Sequence, residues 1–186
     1  MKLLTQFSVL AILLLSVASH AHADTELSGN AEEGYSDAEM LRSGTKASSI
    51  GVGLGAVVSL SGSGTVFDLH LNYSYHFSGD GSGFALGGDF DIVTNAGNGV
   101  FIIPGVRGTY DFEVSNGIYL SPFTSLGLII ATAGGVGFNT RLGLAVKVLL
   151  NDLFFASVQP LGIDISIGSG GTAVSYDLVF GGGFTF

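Results

Sequence analysis

Asp68, His70, Asn72, Ser74 and His76 stand at every second position, so an extended chain puts them on one face and Phe67, Leu69, Leu71, Tyr73, Tyr75 and Phe77 on the other. A serine, a histidine and an acid on one face are the ingredients of nucleophilic catalysis, and two histidines with acids are those of a metal site. The spacing specifies neither. No serine is tied to His70 or His76 by a motif, and the sequence contains no phosphate loop, zinc motif or nucleophile elbow. The chain is therefore expected not to be an enzyme, and no catalytic, cofactor or metal residue is assigned. The same alternation places Asp89 and Asp91, then Arg107, Asp111 and Glu113, then Arg141 and Lys147, and finally Asp164 and Asp177 opposite apolar neighbours. Charges gathered on one shared face must pair if that face is buried, and the arginines on the fourth and sixth segments are expected to meet acids such as Asp89 and Asp177 in an ion-pair network.

The segments that carry these residues alternate from residue 50 to the end of the chain. Ile50–Leu60 is followed by the turn SGSG at 61–64, Thr65–Phe77 by SGDGSG at 78–83, and Phe84–Thr94 by NAGNG at 95–99. Val100–Val114, Ser115-Asn116-Gly117, a fifth segment from Ile118 to about Ala131 and a glycine-rich turn near 132–137 come next. Phe138–Leu150 and Leu153–Ile167 are joined at Asn151-Asp152, read as a two-residue hairpin turn. In the seventh segment Leu161, Ile163, Ile165 and Ile167 set an apolar phase that Ser157 and Gln159 break, which a bulge near Pro160 would repair. GSGG at 168–171 leads to the last segment, Thr172–Phe186. Eight strands joined by seven hairpins predict an all-β fold, an eight-stranded antiparallel up-and-down barrel with both of its ends at one rim.

The start of the chain differs from all this. Lys2, an apolar run from Phe7 to Val17 and Ala21-His22-Ala23 have the form of a cleaved secretory signal over residues 1–23. Residues 24–49 are rich in acids, including Glu26, Glu32, Glu33, Asp37 and Glu39, and lack a sustained apolar stripe, so they are expected to be a flexible extension. With 15 acids against five bases after cleavage, nucleic acid is excluded as a partner. There is no cysteine, so the exported fold has no disulfide staple.

Alternation alone does not say which face is buried, and a soluble lipocalin-like binder would alternate with its apolar face inward. Volume decides. Eight strands enclose a lumen only just wide enough for side chains, and the apolar face carries Phe, Tyr, Leu and Ile at nearly every position. The other face holds Gly51, Gly53, Gly55, Gly87, Gly105, Gly127, Gly143, Gly162, Gly181 and Gly183, small enough for a narrow interior. The mean hydropathy is +0.55 with only 11% charged residues, an apolar excess spread over short segments as a transmembrane β-barrel requires.

The last strand, with Tyr176, Phe180, Phe184 and a final Phe186 on one face, resembles the C-terminal strand of bacterial outer-membrane barrels. The architecture of residues 50–186 is similar to that of small eight-stranded barrels typified by the OmpA membrane domain and OmpX. That resemblance implies integral residence in the outer membrane of a Gram-negative bacterium, contact with its lipid, a rim with the C-terminus facing the periplasm, and recognition of Tyr176, Phe180, Phe184 and Phe186 by the barrel assembly machinery. It implies a monomer and a structural role with a charged, plugged lumen. The alternative is a narrow, porin-like, cation-preferring pore through the glycine-lined interior. Some barrels of this kind are lipid-modifying enzymes with Ser, His and Asp near the outer rim, but here the presumed outer turns carry neither His nor acid. Those turns are also short, which departs from barrels that bind partners through long surface loops.

Overall fold

The computed structural model describes residues 46–186 except 63, 80, 96–98 and 169. The expected signal (1–23) and nearly all of the acidic extension (24–49) lie outside the described residues. Eight strands follow in order: β1 (Ser48–Ser59), β2 (Thr65–His76), β3 (Gly83–Asn95), β4 (Gly99–Ser115), β5 (Ile118–Ala131), β6 (Val136–Leu149), β7 (Phe154–Gly168) and β8 (Gly171–Thr185). Each pairs antiparallel with the next, and β1 pairs with β8 to close the barrel. The seam is completed at the rim that carries the C-terminus, where Phe186 N–H donates to Ser48 O at 2.8 Å and Ser48 N–H to Phe186 O at 3.2 Å. The first strand therefore begins at Ser48, two residues before the alternation becomes visible, because Ser48 and Ser49 are polar on both faces.

Register shifts occur in three strand pairs, and two of them, β6–β7 between Leu144 and Val146 and β7–β8 between Gln159 and Gly162, flank the same stretch of β7. Along β7 and β8 the pairing shifts between Gln159 and Gly162, so the bulge expected near Pro160 is present and turns Gln159 into the lumen. The Tyr176 hydroxyl donates to the Pro160 carbonyl within this bulge. The third shift, between Glu113 and Ser115, has no sequence cue of comparable strength. It leads into the turn where Gly117 adopts φ 71°, a left-handed conformation open to glycine at no steric cost. The connection between β6 and β7 spans four residues, 150–153, and not two. Asn151 Oδ1 accepts from the N–H groups of Leu153 and Phe154 at 2.9 and 2.8 Å, a side-chain turn that replaces the two-residue hairpin.

The apolar face points outward. Leu54, Phe67, Leu126 and Phe138 are 62–78% exposed, and Ile50, Val52, Leu71, Val106, Leu142, Leu161, Phe180 and others extend this surface around the barrel. Twelve residues, the length of β1, rise about 30 Å at roughly 3.3 Å per residue and a tilt near 40°, enough for an apolar band about 25 Å tall. At the C-terminal rim Tyr73, Tyr75, Phe77, Phe84, Tyr110, Phe112, Phe184 and Phe186 are all exposed, and neighbours touch: Phe77 stacks on Phe84 at 5.7 Å and Tyr110 lies 4.4 Å from Phe112. Such rings suit the boundary between hydrocarbon and headgroups.

Candidate functional site in the barrel lumen

Charged residues two apart on neighbouring strands meet in the lumen because antiparallel pairing sets them side by side. His70 on β2 is paired with Asp91 on β3, Arg141 on β6 with Asp164 on β7, and Arg107 on β4 with Ser125 on β5. The largest cluster centres on Arg141, whose side chain is 1% exposed. Its Nε lies 3.0 Å from Asp164 Oδ1 and 3.4 Å from Asp177 Oδ2, and its Nη2 lies 3.2 Å from Asp91 Oδ2. A planar guanidinium with five donors can hold three carboxylates from three other strands in this way, as a lysine ammonium could not. His70 extends the cluster. Its Nδ1 is 2.5 Å from Asp91 Oδ1, and its Nε2 is 3.4 Å from Arg107 Nη1 and 3.8 Å from Asp89 Oδ1. Arg107 in turn lies 3.6 Å from Asp89 and stacks over the Phe123 ring at 3.6 Å from its centroid.

A second, smaller cluster lies toward the C-terminal rim. Asp111 accepts from Lys147 Nζ at 2.5 Å and contacts His76 Nε2 at 2.9 Å. Eight of the expected lumen residues (Asp68, His70, Asp89, Asp91, Arg107, Arg141, Asp164 and Asp177) thus belong to the first region, and Asp111 and Lys147 to the second. Glu113 is the one of the set that is exposed: it shares the inward phase of Asp111 but sits at the rim, where the β4 bulge begins and water reaches it. Tyr176, Phe180, Phe184 and Phe186 line the outer surface of β8, the last three 43–52% exposed.

Other partners had weaker sequence signals. Gln159 Nε2 donates to Asp177 Oδ2 at 2.6 Å, a contact that follows once the Pro160 bulge is allowed for. Asn139 donates to Asp164 at 3.2 Å. Phe123 and Phe155 point inward, against the expectation that aromatic rings face out, and both are buried. They fill space that inward glycines open: a Cβ on Gly143 would stand 2.6 Å from the Phe123 ring, and one on Gly183 would stand 2.6 Å from the Phe155 ring. In this part of the barrel the glycines make room for rings and not for a water path.

Charge does not balance inside. Among the described residues six buried carboxylates (Asp68, Asp89, Asp91, Asp111, Asp164 and Asp177) face three permanent cations, Arg107, Arg141 and Lys147. Asp68 is 1% exposed, and neither of its oxygens has a hydrogen-bond partner among the described residues.

The lumen also changes character along its length. Toward the rim opposite the C-terminus it opens into a cavity of about 590 Å³ with walls that include Val57, Val93, Phe101, Ile103 and Ile129, and a polar floor of Asn139, Arg141, Asp164 and Ser166. The runs Val100–Ile103 and Leu128–Ile130, where apolar residues cease to alternate, are the sequence trace of these walls.

No family model and no curated protein matches the sequence. Among solved structures the fold is similar to Neisserial surface protein A, with a TM-score of 0.58 at 12% identity, covering 75% of this chain and 96% of that one. It is also similar to Ail, the attachment invasion locus protein of Yersinia pestis, with a TM-score of 0.50 at 14% identity, covering 76% of this chain and 99% of that one. Both are small eight-stranded outer-membrane barrels. Identity this low speaks for fold alone, and with the outward apolar band and the buried charges it gives the chain the fold of a small transmembrane β-barrel.

Proposed function

We propose that the protein is an integral barrel of the bacterial outer membrane with a structural, non-enzymatic role, its lumen locked by the charge network. The observation that carries this reading is Arg141, fully buried and in contact with carboxylates from β3, β7 and β8 at 3.0–3.4 Å, so that one side chain ties four strands across the interior. Outer-membrane lipid is the partner of the apolar band. The strand ending in Phe186 is the segment offered to the assembly machinery, and the closed seam between β1 and β8, which leaves no free sheet edge, supports a monomer.

A narrow cation-preferring pore is the second reading, favoured by the cavity at the rim opposite the C-terminus and by the excess of lumen acids. Planar-bilayer recording of the purified barrel, beside urea unfolding in lipid vesicles, separates the two. The structural reading expects no discrete conductance and a large stability loss in Arg141→Ala. Discrete, cation-selective openings that become more frequent in Arg141→Ala, with little change in stability, would replace it with the pore.

A further inference from the structure

We infer that Asp68, His70 and Asp91 form a binding site for one divalent metal ion of the borderline class that accepts imidazole and carboxylate together, such as zinc. The three residues offer ligand atoms that all lie within 4.8 Å of one another, and all three are buried. An imidazole with two carboxylates is a donor set suited to such ions and poorly suited to magnesium, which keeps its water and prefers oxygen alone.

Two further observations point to a cation here. Asp68 is buried with both oxygens unpartnered, and a carboxylate taken out of water without a partner is costly unless a positive charge arrives. Arg141 is also shared among too many acids: it contacts Asp91, Asp164 and Asp177, and among the described residues no ion pair reaches Asp68. A divalent ion between Asp68 and Asp91, added to Arg107 and Arg141, brings the positive charge in this region to four against the five carboxylates Asp68, Asp89, Asp91, Asp164 and Asp177. Arg141 holds both oxygens of Asp91: its Nη2 lies 3.2 Å from Oδ2, and its Nη1 lies 3.3 Å from Oδ1 and 3.5 Å from His70 Nδ1. A metal taking Asp91 Oδ1 and His70 Nδ1 therefore opens their 2.5 Å contact and moves Nη1 aside, while Nε stays on Asp164 and Asp177. Nδ1 then gives its lone pair to the metal and the ring proton resides on Nε2, facing Asp89 Oδ1 at 3.8 Å, beyond direct hydrogen-bond reach, and Arg107 Nη1 at 3.4 Å. Access comes from the open cavity, whose floor includes Arg141 and Asp164 of the same cluster. The inference holds whether or not the lumen conducts.

The test uses the full mature chain refolded in detergent and stripped with EDTA, titrated with zinc chloride by calorimetry, with metal content by elemental analysis and thermal unfolding followed by circular dichroism. The expected result is one zinc per barrel and a melting temperature raised by zinc but unchanged by magnesium. Asp68→Asn should weaken zinc binding at least tenfold while its metal-free melting temperature stays the same or rises, since the amide removes an unpaired charge. His70→Asn should weaken it similarly, and the wild-type stoichiometry stands by itself if that variant folds poorly. Lack of saturable zinc binding in the wild type, an equal response to magnesium, or undiminished binding in Asp68→Asn would overturn the inference; the last result would put the metal on other acids of the chain.

Discussion

Arg141 and Lys147 stand on the same face of β6, six residues apart, and the lumen treats them differently. Arg141 is dry and bridges three carboxylates on three other strands. Lys147 is 17% exposed near the C-terminal rim, pairs with Asp111 on β4, and has the Phe155 ring 5.4 Å away. The difference follows from depth and from chemistry. A planar fork with several donors repays its own desolvation when each donor finds an acid, whereas an ammonium keeps more of its water and is served well enough by one partner at a wet rim. Position along the barrel axis, more than charge itself, sets how much each cation contributes.

The sharpest way to break that comparison is to truncate both. Arg141→Ala should lower the unfolding free energy in vesicles by about 3–5 kcal/mol, because three carboxylates are left buried without their common partner. A loss as small as that of a surface pair would mean that water already fills the cluster. Arg107→Ala is expected to cost about 2 kcal/mol, from the stack on Phe123 and the longer 3.6 Å contact with Asp89, measured in the same urea series.

Gly143→Ala probes the packing between the two cations. The new methyl would collide with the Leu161 carbonyl oxygen and the Phe123 ring, and the expected cost is about 1–3 kcal/mol. Wild-type stability in that variant would show that the ring yields freely and that the inner lumen is loosely packed. Lys147→Ala should cost about 1 kcal/mol and should depend on salt more than Arg141→Ala does, since its pair lies closer to water.

The smallest effect on stability is expected at the seam. Phe186→Ala keeps both backbone hydrogen bonds to Ser48 and removes only a half-exposed ring, so refolding in detergent should stay close to wild type. Deleting Phe186 also removes those two hydrogen bonds and should destabilise the closed barrel measurably. If Phe186→Ala lowers the amount of folded barrel in cells while the purified variant refolds normally, the ring acts in assembly. Equal losses in both settings would assign it to packing.

Much of this molecule was legible from residue order. Alternation at period two is a local property, so it located the eight strands to within a few residues, gave the outward face, and exposed the bulge at Pro160 as a break in phase. The inward rings of Phe123 and Phe155 escaped that reading because an aromatic at an inward position looks like noise until Gly143 and Gly183 are seen across from it. The start of β1 at Ser48 escaped it too, since only pairing with Phe186 marks those serines as strand.

The sequence by itself determined strand number, facing, the transmembrane-barrel character of the fold, and the roster of charges that had to be dealt with inside. Only the tertiary structure decided who deals with whom. Arg141 meets Asp91 and Asp177 across strands that are not its neighbours, and Asp68 is left with neither oxygen partnered among the described residues. Those outcomes depend on how β1 and β8, more than 110 residues apart, are staggered when the sheet closes, because that stagger sets the depth of every side chain relative to those on the far wall. A period-two pattern carries the face of each residue and contains no term for that depth.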